Sequence, residues 1–295
     1  MTIDPSDHNK MIASLICCAI SVFFTSVAIF FYTKYGELRR NFSSQLVFIL
    51  ALSDLLCWIQ VLISDAYLLA TEQTTEAIND QLCIMLGFFS NFTSVITLAT
   101  VFFISFLIYL NVVWLIPIER YRREFIVSTT IFVLVLSFLP LGTNRYGRTD
   151  NILCWIDGPD MVFYGYYLII LIVFLIDFYC IAHSLYKIYQ MPLPKIIKSR
   201  LRRHLTFFPI ILLGSWIAGL INSFIGVISP ETNIPILGLL DYILEPLEGV
   251  FNPIAYMMIN EKVKKGFFEF FRCWRNQEIA MENQENMLYN IGLQQ

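Results

Sequence analysis

Seven long apolar stretches, separated by short polar segments, dominate the pattern of residues along the chain. An α-helix needs about 20 apolar residues to cross about 30 Å of hydrocarbon, and each stretch is roughly that long. The pattern therefore predicts an all-α membrane protein, built as a bundle of seven transmembrane helices. The seven stretches cover Met11–Tyr32, Gln45–Leu69, Leu82–Ile116, Phe125–Gly142, Met161–Tyr186, Leu205–Ser229 and Ile234–Ile259.

The polar segments are short, so one helical domain accounts for nearly the whole chain. We predict a short extracellular N-terminus over 1–10 and a transmembrane domain over 11–259. Residues 260–274 place their large apolar side chains on one face, which is typical of an amphipathic helix on the cytoplasmic membrane surface. Residues 275–295 are rich in Gln, Asn and Glu and are predicted to form a disordered cytoplasmic tail.

Composition and charge agree with a membrane protein and set its orientation. Hydrophobic residues make up 57% of the chain and charged residues only 15%, which excludes an ordinary soluble domain. If the N-terminus is outside, 17 of the 20 Lys and Arg residues lie on the cytoplasmic side. Because loop Lys and Arg set membrane topology, we predict a multi-pass protein of the plasma membrane with its C-terminus in the cytoplasm.

Two of the seven cysteines fall on the predicted outer side. Cys83 lies at the outer end of span three and Cys154 lies in the loop after span four. The oxidising exterior permits a disulfide between them, and two unrelated thiols are the alternative. Cys273 follows the amphipathic segment, where it is either palmitoylated or a free thiol.

Carboxylates within the spans are the strongest functional signal, because such groups usually face a bundle interior. Span two carries Asp54, and Thr97 of span three lies at the depth expected for its partner. In span seven a single stripe holds Asp241, Glu245, Glu248, Asn252 and Tyr256. We predict an outer ligand cavity at Asp241 and Glu245, and a deeper ion or proton switch, with sodium as a candidate, at Asp54, Glu248 and Asn252. Interhelical hydrogen bonding by protonated acids is the alternative.

Two motifs in the spans resemble those of G-protein-coupled receptors. The segment Leu50–Leu56 carries one intramembrane aspartate, and Asn252–Tyr256 reads Asn-Pro-Ile-Ala-Tyr. The amphipathic segment is similar to the eighth helix of such receptors. The resemblance implies a receptor that passes an extracellular small-molecule signal to a heterotrimeric G protein within the membrane lipids. No Gly-rich phosphate loop, metal cluster or Ser/His arrangement stands where chemistry could use it, so we predict no enzyme, no metal site, no cofactor beyond the candidate sodium ion and no nucleic-acid partner.

Within that superfamily the chain resembles the cyclic-AMP receptor-like family. The similar segments are Cys154–Ile156, the span-six set Phe208–Pro209, Trp216 and Ile221–Asn222, and Leu247–Asn252. Together with the polar span residues, they give a predicted ligand-binding set of Asn91, Ser94, Trp155, Trp216, Asn222, Asp241 and Glu245. Simple packing is the alternative for the span-three members. The predicted activation switch comprises Asp54, Thr97, Glu248, Asn252, Pro253 and Tyr256.

The segment Glu119–Tyr121 reads as the Glu-Arg-Tyr motif of rhodopsin-like receptors but stands too far along the chain. Arg120 lies 37 residues after Cys83, about three helical turns beyond the usual spacing, so Asn111 is the better inner-end polar group. The basic segment before span six predicts a helical extension that docks the G protein. The predicted contacts are Asn111, Lys198, Arg200, Arg202 and Arg203. The alternative is that the basic charges only set topology and contact anionic lipid.

A proton- or ion-coupled transporter is the alternative function, with the span-seven carboxylates as relay groups. Transporters commonly contain internal repeats, and none is visible in this chain. The ligand itself cannot be named from the sequence. An anionic nucleotide needs cations, and the outer half offers only Lys10, Arg145 and Arg148.

Overall fold

A computed structural model describes residues 5–116, 121–149, 154–192, 195–229, 234–260 and 262–269. The chain divides into two compact units, Met1–Ala255 and Tyr256–Gln295. Cys273, the predicted tail at 275–295, and Glu119 and Arg120 of the disfavoured motif lie outside the described residues.

Helices make up almost all of the described structure, with one small hairpin. Helix α1 begins at Pro5, inside the segment predicted as an extracellular tail. A 3₁₀ turn covers Thr75–Ala77, and a π-helix at Phe163–Tyr167 leads into α7. The elements are α1 Pro5–Lys34, α2 Gly36–Arg40, α3 Phe42–Thr71, α4 Asp80–Trp114, α5 Arg122–Gly142, β1 Tyr146–Arg148, β2 Cys154–Ile156, α6 Pro159–Val162, α7 Leu168–Gln190, α8 Lys195–Ile228 and α9 Pro235–Ile259.

Six helices of the described residues are long and apolar enough to cross a membrane. Helix α9 is 25 residues long but carries three carboxylates and is not among the six. The protein is therefore an all-α membrane helix bundle, and the seventh span stays a prediction. The six segments are Asp7–Lys34, Phe42–Thr71, Asp80–Trp114, Arg122–Gly142, Phe163–Gln190 and Ile210–Ile228.

Helix α4 is the central element of the first unit. Its 35 residues pack against α3, α5, α7, α8 and both strands. Asn79 caps its start by accepting a hydrogen bond from the Gln81 N–H, and Leu115 ends it in the left-handed conformation. Most of its serine and threonine side chains are buried, and the hydroxyls of Thr93, Thr100 and Ser105 donate to carbonyls of the preceding turn, which satisfies these donors within the apolar bundle.

The hairpin lies against the start of α4. Strands β1 and β2 are antiparallel, and a disulfide joins Cys154 of β2 to Cys83 of α4. Gly87 allows this close approach, since a Cβ atom there would lie 3.1 Å from the Trp155 Cα. Arg148 of β1 pairs with Asp80 and donates to the carbonyls of Thr75 and Ile78. The disulfide predicted from the sequence is confirmed.

Replacing Cys154 with serine is expected to lower the thermal unfolding temperature of the purified protein. A disulfide typically contributes about 2–4 kcal/mol, and this one closes a loop between positions 71 residues apart. Buried Cys180, a free thiol on α7, offers the matched control Cys180→Ser. Equal unfolding temperatures for Cys154→Ser and the unmutated protein under non-reducing conditions would contradict this stabilising role.

Gly249 lets α9 pack directly against α1 and α3. A Cβ atom built at Gly249 would collide with the Ser21 Oγ and lie 3.0 Å from the Trp58 Cδ1. Both neighbours are buried, and Ser21 is fully so. A side chain at this position therefore has no free space and would push the helices apart.

We expect Gly249→Ala to destabilise the bundle by about 1–3 kcal/mol, the usual cost of overpacking a core. Gly238 on the same helix has no atom within 4 Å of its built Cβ, so Gly238→Ala is the matched control. Thermal unfolding of the three proteins in one detergent measures the difference. Equal stability of Gly249→Ala and Gly238→Ala would show that Gly249 is not needed for this packing.

The second unit contains the end of α9 and a helical segment over residues 262–269. The Asn260 side chain begins this segment by accepting hydrogen bonds from the backbone N–H groups of Lys262 and Val263. The segment lies within the predicted amphipathic helix at 260–274, whose position on a membrane surface stays a prediction.

Candidate functional site

A chain of buried hydrogen bonds joins four helices in the interior of the first unit. The Thr97 hydroxyl donates to Asp54 Oδ1 at 2.9 Å, and the Asn252 amide donates to Asp54 Oδ2 at 3.2 Å. The same amide reaches Glu248 Oε1 at 3.5 Å, and the Trp216 Nε1 donates to Glu248 Oε2 at 2.8 Å. We call Asp54, Thr97, Trp216, Glu248 and Asn252 the polar core.

The polar core holds two carboxylates with little access to solvent. Asp54, Glu248 and Asn252 are only 3%, 2% and 1% exposed. Ser53 extends the network, since its hydroxyl lies 2.9 Å from the Thr97 Oγ1. The Asn252 Oδ1 is buried and has no hydrogen-bond partner among the described residues. Two carboxylates beside an unpaired amide oxygen form an oxygen-rich set of the kind that binds a proton or a hard cation.

A cluster of aromatic rings lies next to the polar core. The Trp155 ring lies 4.9 Å from Tyr166 and 6.2 Å from Tyr167 between centroids. The Tyr166 ring also lies 5.7 Å from Trp216. We call Trp155, Tyr166, Tyr167 and Trp216 the aromatic cluster.

The π-helix at Phe163–Tyr167 explains how two consecutive tyrosines face the interior. Neighbouring residues of an α-helix point about 100° apart, so one of them usually faces outward. Here Tyr166 and Tyr167 are only 3% and 4% exposed. A single-turn π-bulge inside a helix is rare and is frequently found at functional sites.

Two carboxylates in the N-terminal half of α9 adjoin this cluster. Asp241 and Glu245 both interact electrostatically with Tyr167, and Glu245 also interacts with Tyr166. Gly219 of α8 leaves room for them, because a Cβ atom there would lie 2.6 Å from Asp241 Oδ1 and closer still to the Tyr167 hydroxyl. The structure thus brings together four predicted ligand-binding residues, Trp155, Trp216, Asp241 and Glu245. Ser94 joins them through its contact with Tyr166.

Two other members of the predicted ligand-binding set lie elsewhere. The Asn91 amide donates to the Tyr146 hydroxyl at 2.7 Å and to the Leu136 carbonyl at 3.4 Å. Asn91 is about 120° around α4 from Thr97, so it faces α5 and the hairpin instead of the aromatic cluster. Asn222 is exposed on α8 and makes no hydrogen bond within the described structure.

The Tyr146 hydroxyl anchors the hairpin to α4 and α5. It accepts from Asn91 and donates to the Ser137 carbonyl at 2.8 Å. Burial raises the pKa of Tyr146 to about 12, while the hydrogen bond from Asn91 acts in the opposite direction. Because this pKa is raised, Tyr146 stabilises the fold fully at pH values below the ordinary tyrosine pKa near 10. The contribution is lost as the pH rises toward 12.

The predicted G-protein contacts lie at the opposite ends of the helices from the disulfide. Asn111 is exposed near the end of α4. The Lys198 Nζ donates to the Tyr189 carbonyl of α7 at 2.9 Å. Arg200, Arg202 and Arg203 lie in α8, and their side chains fall outside the described residues. Of the predicted switch, Pro253 is buried within α9, and Tyr256 is buried in the second unit.

Three residues of the site were missed by sequence reasoning. Tyr166 and Tyr167 stand in an aromatic-rich segment in which nothing marks a π-helix. Ser53 precedes Asp54 directly in the chain, and its hydroxyl reaches Thr97 only because α3 and α4 pack closely. Adjacency to an intramembrane aspartate is the one signal that could have found it.

The first part of the chain matches a known family. Residues 7–139 match the model of the family Git3, described as G protein-coupled glucose receptor regulating Gpa2. No curated protein matches the chain. The match gives no support to the transporter alternative, and the closer resemblance to the cyclic-AMP receptor-like family stays a prediction. The matched region contains α1, α3, α4 and most of α5, including Asp54, Thr97 and the disulfide cysteine of α4. With this match, its membrane helix bundle and its disulfide-linked hairpin, the chain is a G-protein-coupled receptor.

Proposed function

We propose that this receptor binds a small extracellular molecule at the aromatic cluster and passes the signal through the polar core to a heterotrimeric G protein. In this proposal α9 is a seventh span, the N-terminus lies outside the plasma membrane and the C-terminus lies in the cytoplasm. The protein acts by binding and by conformational change, with no catalytic step. A ligand shifts such a bundle only as far as its affinity differs between two states.

The observation that carries this proposal is the double role of Trp216. Its ring contacts Tyr166 of the aromatic cluster, and its Nε1 donates to Glu248 of the polar core. A ligand that moves the Trp216 ring therefore changes a hydrogen bond in the polar core directly. From Glu248 the connection continues through Asn252 to Asp54 and Thr97.

The chemistry of the cluster favours a neutral sugar. Aromatic faces pack against the apolar faces of a sugar ring, and carboxylates such as Asp241 and Glu245 accept hydrogen bonds from hydroxyl groups. The matched family is described as a glucose receptor, which supports the same class. An organic cation is the second candidate, since aromatic rings beside carboxylates also bind ammonium groups.

The outer cations disfavour an anionic ligand. Lys10 pairs with Asp7, and Arg148 pairs with Asp80 and two backbone carbonyls. These contacts occupy two of the three cations that the sequence places outside. An anionic nucleotide would have to displace them or rely on Arg145.

The test is ligand-dependent nucleotide exchange by a heterotrimeric G protein in vesicles that contain the receptor. Glucose, a small quaternary ammonium ion and an anionic nucleotide are compared as ligands. We expect glucose to raise the exchange rate and Asp241→Asn to reduce the response, with exposed Glu76→Gln as the control carboxylate. A response to the ammonium ion alone favours the second candidate. The proposal is wrong if the anionic nucleotide is the only activator, or if no ligand in the panel raises exchange.

A further inference from the structure

A groove that the receptor function does not use lies between α3, α4 and α5. It has a volume of about 360 Å³ and is lined mainly by apolar side chains of these three helices. Leu46 and Ile49 come from α3, Phe92 and Ile96 from α4, and Val133 from α5. The groove lies at the surface of the bundle and is separate from the polar core, with which it shares no lining residue.

The groove opens toward the hydrocarbon of the membrane. Its rim residues Ile49, Ile126 and Leu134 are 41%, 48% and 43% exposed, and all three belong to helices long enough to cross a membrane. An apolar cleft on this surface is filled by lipid, because water is absent at that depth.

The threonines in the groove do not make it polar. The hydroxyls of Thr100, Thr129 and Thr130 donate to carbonyls of their own helices at 2.7, 2.9 and 2.8 Å. Their donors are satisfied without an occupant, so the groove presents methyl groups and hydrocarbon. This surface suits an acyl chain better than a polar ligand.

One end of the groove is positively charged. The Arg122 guanidinium lies 5.3 Å from the centroid of the Phe42 ring at this end. Arg39 lies next to this end, since its carbonyl accepts a hydrogen bond from the Nε2 of Gln45, which lines the groove. Within the described residues no carboxylate lies within ion-pair distance of either guanidinium.

Two helix N-termini add to this positive charge. Helix α3 begins at Phe42 and helix α5 begins at Arg122. Both therefore direct the positive ends of their dipoles, with backbone N–H groups that lack helical partners, to the charged end of the groove. Phosphate groups bind readily at such positions when cationic side chains assist.

We propose that this groove binds an anionic phospholipid of the leaflet opposite the disulfide. One acyl chain lies between α3, α4 and α5, and the phosphate group contacts Arg122 and Arg39. The site does not depend on the identity of the receptor's ligand or on its coupling to a G protein. A sterol or a zwitterionic phospholipid would use the same hydrocarbon surface without needing the two arginines.

The experiment measures the phospholipid that stays bound to the full-length protein. The protein is reconstituted with equal amounts of phosphatidylserine, phosphatidylcholine and sterol, extracted gently, and examined by native mass spectrometry. We expect preferential retention of phosphatidylserine. Arg122→Gln should reduce this retention about fivefold, which corresponds to the roughly 1 kcal/mol expected for one basic residue near the membrane surface.

Two matched controls separate the site from general charge and hydrophobicity. Arg123→Gln removes the neighbouring exposed charge, which is outside the groove lining, and should leave retention unchanged. Thr130→Trp should fill the groove and displace the lipid, whereas Ile131→Trp, at a 57% exposed position outside the lining, should not. The proposal is overturned if Arg122→Gln and Arg123→Gln retain equal phosphatidylserine, if Thr130→Trp has no effect, or if phosphatidylcholine or sterol is the preferred lipid.

Discussion

Replacing Arg200, Arg202 and Arg203 together with glutamine is expected to abolish G-protein activation while ligand binding is retained. At about 1 kcal/mol for each charge contact, losing three weakens docking by about 100-fold. Nucleotide exchange by the G protein and binding of a labelled ligand, measured on the same vesicles, check the two halves of this prediction.

The course of α8 supports this prediction. The apolar span within it covers Ile210–Ile228, but the helix begins at Lys195. About four helical turns therefore precede the span and carry the three arginines. Such an extension is long enough to move as a lever when the bundle changes state. Lys198 links it to α7 through the Tyr189 carbonyl.

The control for charge is Lys262→Gln, Lys264→Gln and Lys265→Gln in one protein, which removes the same number of charges from residues 262–269. Both triple variants must first be shown to lie in the membrane in the correct orientation, because Lys and Arg also set topology. Normal activation by a correctly oriented arginine variant contradicts the docking role. Equal losses in both triple variants would point to a general effect of charge.

The sequence predicts the helices of the bundle well because their signal is strong and local. Each long stretch needs only its own apolar residues to define it, and helices α3, α4 and α5 begin and end within three residues of the predicted spans. Helix α8 differs most from its predicted span, since its charged N-terminal turns are helical without being apolar. Hydropathy marks only the part of a helix that lies in hydrocarbon.

The contacts of Asp54 with Thr97, and with Glu248 through Asn252, were predicted from position along the helices, whereas the contact of Trp216 with Glu248 was not. Asp54, Glu248 and Asn252 have few stable alternatives to meeting one another, because each would otherwise be unpaired in an apolar bundle. Asn91 shows the limit of this reasoning. A buried amide needs a partner, but the sequence does not say which one, and here the Tyr146 hydroxyl and the Leu136 carbonyl provide it.

Local backbone changes are the part that sequence patterns miss. The π-helix at Phe163–Tyr167 changes the register of the residues that follow it, so helical periodicity cannot place Tyr166 and Tyr167 together. Sequence patterns also cannot show which glycines lie against a neighbouring helix. Gly249 and Gly238 are both glycines of α9 and look alike in the sequence, but of the two only Gly249 lies against another helix.

Replacing Asp54 with asparagine is expected to change the agonist response and its dependence on sodium or pH together. Asp54 accepts hydrogen bonds from both Thr97 and Asn252. An asparagine at this position would present an N–H group to one of these donors, leaving two buried donors face to face. Hydrogen bonds to charged groups contribute about 1.5–3 kcal/mol, so agonist potency should shift by about 10- to 100-fold.

The dependence on ions follows from the two carboxylates of the polar core. Ionised Asp54 and Glu248 repel each other in a low-dielectric interior, and a proton or a sodium ion between them removes that repulsion. If the state of the bundle depends on this occupant, the unmutated receptor responds to sodium or to pH, and Asp54→Asn does not. Measuring exchange at fixed pH with sodium replaced by a large organic cation, and then at fixed sodium with varied pH, identifies which of the two is bound.

The controls are two threonines on the same helix. Thr97→Val removes the donor to Asp54 and should reproduce part of the Asp54→Asn effect. The Thr93 hydroxyl donates to the carbonyls of Phe89 and Ser90 on its own helix, so Thr93→Val should leave the ion dependence intact. A normal agonist response with unchanged ion dependence in Asp54→Asn would show that the polar core serves only to join helices by hydrogen bonds. In that case Glu248 and Asn252 stabilise the packing of α9 without acting as a switch.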